Sequence, residues 1–136
     1  MKKLLFTLLA VAAGLFVLTN GLAAGAATKR VAIVHVQKGC HVWSVGATRT
    51  ASVRVTLHRG ATLAVVNQDI DMHKLVQVSG PTTKTGPFMM MNQRVLLRFA
   101  KTGLYRFHTR VADMRGMPEV KTIGPDNKLV LTVRVS

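Results

Sequence analysis
From residue 28 onward, apolar and polar residues alternate in short runs. Ser52-Val53-Arg54-Val55-Thr56-Leu57-His58 sets Val53, Val55 and Leu57 on one side and polar groups on the other. That period of two is the signature of a half-buried strand. Val31 to Gln37, Thr62 to Asn67, His73 to Ser79, Arg94 to Phe99 and Leu104 to Thr109 read as strands for the same reason, and Leu129, Leu131, Val133 and Val135 alternate to the end. Turn residues punctuate them at Arg59-Gly60, Gly80-Pro81, Lys101-Thr102-Gly103 and Gly124-Pro125-Asp126-Asn127. Helical spacing is hard to find. Roughly seven short strands at intervals of about ten residues predict an all-β fold, an antiparallel β-sandwich or Greek-key barrel.

The first 27 residues break this pattern. Met1-Lys2-Lys3 is a short positive start, and Leu4 to Leu18 is an almost unbroken apolar stretch. Asn20, Gly21 and the small-residue tract Ala23-Ala24-Gly25-Ala26-Ala27 follow. This is the layout of a secretory signal peptide. Residues 1–27 are expected to be removed by a cut somewhere after Ala24 to Ala27, leaving one domain over residues 28–136; the competing reading is an uncleaved membrane anchor. No Cys lies near the cut, which argues against a lipid anchor. The expected location is the periplasm of a bacterial envelope, or outside the cell. Beyond residue 27 no apolar run approaches a membrane span, and the remaining length suits one modest core.

Charge adds a partner class. Nineteen Lys and Arg face five Asp and Glu in the 136-residue chain, a formal charge of +14. All five acids lie at or beyond Asp69, so Lys29, Arg30, Lys38, Arg49, Arg54 and Arg59 precede them unopposed. Such a field favours an acidic protein, a lipid surface or an envelope polyanion. The plainer reading is a solvated basic surface. One Trp and one Tyr offer few stacking platforms, so nucleic acid is not an expected partner. A single Cys excludes an internal disulfide and any multi-Cys metal site. The chain lacks G-x-S-x-G, H-E-x-x-H and a paired-carboxylate signature, and neighbouring Cys40 and His41 do not give the geometry of a thiol nucleophile and its base. No catalytic function is expected.

Three segments carry a resemblance. Val66-Asn67-Gln68-Asp69-Ile70-Asp71-Met72-His73 resembles the segment bearing the first histidine ligand of cupredoxins, the plastocyanin and azurin group, with Asn six residues before His as in plastocyanins. Gly103-Leu104-Tyr105-Arg106-Phe107 resembles the G-x-Y-x-F strand leading into their copper loop, and Met114-Arg115-Gly116 resembles the M-x-G of the axial thioether. The resemblance spans most of residues 29–136. It implies a cupredoxin-like sandwich holding one copper ion for electron transfer with a redox partner, its rigid scaffold keeping the geometry similar in both oxidation states. The usual thiolate position is Thr109 and the usual second histidine position is Ala112. His108 is expected on the opposite face from Tyr105, Phe107 and Thr109. Of the family's ligands, His73 and Met114 remain.

Gly39-Cys40-His41-Val42-Trp43-Ser44 offers substitutes. In such a sandwich the loop after the first strand opens at the copper end. An unpaired thiol in an oxidising compartment needs protection, and thiolate, imidazole and thioether suit copper. The expected metal ligands are therefore Cys40, His41, His73 and Met114. Adjacent strand residues point opposite ways, so Cys40 and His41 both ligate only if the loop is irregular. The alternative makes Cys40 a small core residue and His41 a surface residue. Met117 competes with Met114, and Met89-Met90-Met91 either captures copper or fills the core. Trp43 reads as core or as a lid over the site, His35 and His58 as poor ligand candidates, and Asp69, Asp71 and Asp113 as loop-forming. Asn67 reads as turn-fixing. Lys74 stands where plastocyanins carry Asn. Two other functions compete with electron transfer: copper capture and delivery to a protein partner, and a metal-free envelope domain binding an anionic partner through its basic face.

Overall fold
The computed structural model describes residues 28–36, 40–112 and 128–136. The expected signal peptide, Met114, Met117, Asp113 and the turn at Gly124-Pro125-Asp126-Asn127 lie outside the described residues; of Cys40 only the backbone is described.

Among the described residues nine strands follow in order: β1 (Lys29–Val36), β2 (Cys40–Val45), β3 (Thr48–Thr50), β4 (Ser52–Leu57), β5 (Thr62–Asn67), β6 (Met72–Ser79), β7 (Arg94–Arg98), β8 (Gly103–Ala112) and β9 (Val130–Val135). One sheet has the order β3-β2-β1-β5-β7 and the other β4-β9-β8-β6. The inward positions of β4 are Val53, Val55 and Leu57, and those of β9 are Leu131, Val133 and Val135, as alternation predicts. Between the sheets lie Trp43, Phe99, Tyr105 and Phe107, all essentially fully buried. Phe99 meets Tyr105 edge-on at 4.8 Å between ring centres, a favoured aromatic geometry. The Tyr105 hydroxyl donates to the Lys101 carbonyl at 2.7 Å, so the buried ring leaves no polar atom unpaired.

Two expectations are corrected. Val42-Trp43-Ser44-Val45 and the short Thr48–Thr50 run are strands, β2 and β3, which the alternation left unassigned. The sheets are also mixed rather than purely antiparallel: β1 runs parallel to β5, and β4 parallel to β9. A period of two shows which side of a strand is apolar, but carries no information on which neighbour it meets or in which direction.

The topology gathers one end of the sandwich. β1 ends and β2 begins there, with His35 directly opposite His41 in the antiparallel register. β5 ends at Asn67 and β6 begins at Met72 at the same end. The short segment between those two strands carries Asp69 and Asp71.

Candidate metal centre
His41, Asp69 and His73 are fully buried polar residues at this end. His35 and His41 lie on the inward side of their strands, in line with Val31 and Ile33 on β1 and Trp43 on β2. Strand alternation turns both imidazoles to that side, and a buried imidazole is a polar cost that needs partners. Asp69 supplies them. Its Oδ1 is 3.3 Å from His35 Nδ1, and its Oδ2 is 3.0 Å from His73 Nε2 and pairs with His41 Nδ1. Three imidazoles thus converge on one carboxylate. His35 is the solvent-side member, with 44% of its side chain exposed. The rings of His41 and His73 meet edge-on, 4.7 Å apart.

The loop that aims Asp69 is held by Asn67. Asn67 Nδ2 donates to the carbonyls of Asp71 (2.7 Å) and Met89 (2.9 Å), and its Oδ1 accepts from the Asp69 amide at 3.0 Å. Asp69 Oδ1 in turn accepts from the Ile70 amide at 2.6 Å. His73 is pinned through its main chain, which exchanges two hydrogen bonds with Met89. Asn67 is therefore turn-fixing, as expected. Asp69 does more than shape the loop, because its second oxygen is directed at two rings.

Burial sets the protonation of the rings. His41 is lowered to about 4, first by loss of water and then by the neighbouring His73 and His35. His73 is also lowered to about 4 by burial, with Asp71 pulling the other way. Both are neutral near neutrality, the form that ligates metals. Apart from the nitrogens facing Asp69, three buried ring nitrogens, His41 Nε2, His73 Nδ1 and Trp43 Nε1, have no hydrogen-bond partner among the described residues. Buried polar atoms are rarely left so. A neutral imidazole whose other nitrogen is held by a carboxylate is the arrangement that orients histidines for a metal. His35, His41 and Asp69 place donor atoms within 4.8 Å of one another. The nitrogen and oxygen donors fit a borderline divalent ion such as Cu(II) or Zn(II).

Of the residues singled out by sequence, the structure brings His41 and His73 together. Cys40 opens β2 opposite Val36, one residue before His41. Met114 lies two residues beyond Ala112, whose register partner is Met72. Trp43 is core rather than lid, with none of its surface exposed. Met89 is core, while Met90 and Met91 are half exposed. His58 is exposed, and His108 is half-buried between Val76 and Val130 on the face opposite Thr109. Thr109, at the usual thiolate position, is buried, and its hydroxyl accepts from the Leu129 amide at 3.2 Å. It ties β8 to the approach to β9.

Sequence reasoning missed His35 and Asp69. The signal for His35 was present: it continues the inward set of Val31 and Ile33. Asp69 gave none, since an acid in an Asx-rich turn looks the same whether it faces water or the interior.

No protein-family model matches the chain, and no curated protein matches it. Solved structures do. A purple cupredoxin from Nitrosopumilus maritimus is 14% identical over 79% of this chain and 99% of that chain, with a TM-score of 0.50. An oxidised amicyanin mutant is 17% identical over 85% of this chain and 87% of its own (TM-score 0.47). A reduced amicyanin mutant is 18% identical over the same shares (TM-score 0.45). The chain has a cupredoxin-like fold, an all-β sandwich.

Proposed function
We infer that the protein is a copper-binding electron-transfer protein, exported with residues 1–27 as its signal peptide to the periplasm or beyond. His41 and His73 would hold one copper ion at the His35–Asp69 end of the sandwich. Cys40 and Met114 would supply the sulfur donors. The observation that carries this is the convergence of three imidazoles on one buried carboxylate, with ring nitrogens left unpartnered beside it. Such a cluster is costly without a ligand. Bound copper would supply a one-electron couple. The chain's own part is positional: β1, β2 and β6 fix the rings through sheet hydrogen bonds, and Asn67 fixes the loop. A frame of that kind resists rearrangement between oxidation states. The inferred role is non-catalytic, with an acidic redox protein as partner.

A specific observation supports copper capture and delivery as the second reading. Met90 and Met91 stand half exposed next to Met89, which is bridged to His73. Exposed thioethers beside an imidazole site suit transient Cu(I).

A copper titration followed by visible absorption tests both. One equivalent of Cu(II) with an intense band lost in Cys40→Ser supports electron transfer through a thiolate. Stoichiometric Cu(I) uptake without a coloured Cu(II) form supports delivery. In either case His73→Ala is expected to abolish stoichiometric binding. Unchanged uptake in that variant overturns the site.

A further inference from the structure
The outward face of the β4-β9-β8-β6 sheet carries three arginines in register. Arg54 lies opposite Thr132, which lies opposite Arg106; Thr56 lies opposite Arg134, which lies opposite Leu104. These residues line an open groove of about 270 Å³. Arg54 and Thr56 also line an adjoining groove of about 400 Å³ with Lys29 and Arg30. The two form one basic strip that passes from the sheet face around the edge strand β4 onto β1. Among the described residues the side-chain carboxylates are Asp69 and Asp71, at the other end of the molecule. Five cations this close, with no side-chain carboxylate beside them among the described residues, repel one another, and an anion relieves that repulsion.

We propose that this strip docks an extended acidic segment of a partner protein. Guanidinium forks take carboxylates in bidentate fashion, and Thr56 and Thr132 add hydroxyls between them. The strip is not purely polar. Leu104 is 48% exposed in one groove, and half-buried Val45 lines the other. That alternation fits a peptide in which acidic and apolar side chains are interleaved. A chain can follow the path around the sheet edge, whereas a flat bilayer meets only one side of it. None of the lining residues offers an aromatic face for stacked bases. Lys29 Nζ donates to the Thr56 carbonyl at 2.8 Å, covering part of the free edge of β4. The segment is therefore held by side chains rather than added as a further strand. Lys29 and His35 are six positions apart on β1, roughly 20 Å of strand. Docking leaves the histidine cluster uncovered and does not depend on the copper reading.

The test is fluorescence anisotropy of the purified protein with a labelled peptide of alternating Glu and Leu, with amide chemical-shift mapping of the wild type. Arg106→Glu/Arg134→Glu is expected to weaken binding at least about tenfold. Arg94→Glu/Arg98→Glu, an equal charge change on exposed positions of β7, is expected to weaken it less than about threefold. Shifts are expected to cluster on β4, β8 and β9. Equal losses in both variants, or shifts elsewhere, overturn the proposal. So does tighter binding of inorganic polyphosphate, or of phosphatidylglycerol vesicles, than of the peptide. The wild-type map remains decisive if a variant fails to fold.

Discussion

His41 and His73 stand edge to face, 4.7 Å between ring centres, and share one oxygen of Asp69. The residues are 32 positions apart and reach each other from different sheets. With Asp69 Oδ2 occupied by both rings, the tautomer that donates to it leaves the far nitrogen of each ring as a lone pair. Two lone pairs beside one buried carboxylate are the feature on which the proposed metal site rests.

Asp69 is the residue on which the cluster turns. Asp69→Asn keeps the side chain's shape and its contact with the Ile70 amide, but replaces the charged oxygen facing the rings. Cu(II) affinity is expected to fall about 10- to 100-fold, measured by competition with a chromogenic chelator. Unchanged affinity would show that the carboxylate neither binds nor orients the ligands.

The metal-free protein is expected to lose stability in acid over a defined window. Both rings have folded values near 4 against an ordinary 6.5. Between those values the unfolded chain takes up protons that the folded one refuses, so stability rises with pH there. It is complete above about 6.5, falls as the pH drops towards 4, and levels off below. Thermal midpoints measured across this range should fall by at least about 5 °C. A flat profile would mean that the rings are not held neutral.

Asn67 should act as the clamp of the loop. Asn67→Ala leaves the Asp71 and Met89 carbonyls and the Asp69 amide without their side-chain partner. The expected cost is on the order of 3 kcal/mol, with faster hydrogen exchange at the Asp69 amide. If that amide exchanges at the wild-type rate, the loop is held by something else.

Phe107 tests the core separately from the site. It is fully buried and faces Phe99 edge-on at 6.5 Å. Phe107→Ala is expected to cost about 3–5 kcal/mol in urea denaturation, with metal stoichiometry retained in the folded fraction. A loss below about 1 kcal/mol would place the ring outside the packed interior.

How much of this was legible depends on the range of the interactions. Alternation along Ser52–Leu57 and Leu129–Val135 marked the inward face of two strands, because the period of two is a local property. Gly60, Gly80 and Gly103, all at positive φ, marked turns for an equally local reason. The histidine pair was approached through resemblance: Asn67 and His73 matched a known segment, and the loop after the first strand was expected at the same end. The sheet order, the parallel pairings β1–β5 and β4–β9, and the strand β2 were not legible, since they depend on partners far away in the chain.

The sequence by itself determined an all-β chain with a buried face on each strand, a cationic surface, and Cys40, His41, His73 and Met114 as candidate ligands. Only the tertiary structure decided that Asp69 points inward to join them, that His35 completes the cluster, and that Arg54, Arg106 and Arg134 line one groove. The reason is common to all three. Which way a loop carboxylate turns, and which charges become neighbours across strands, is set by contacts between residues remote in sequence, and a local pattern does not encode them.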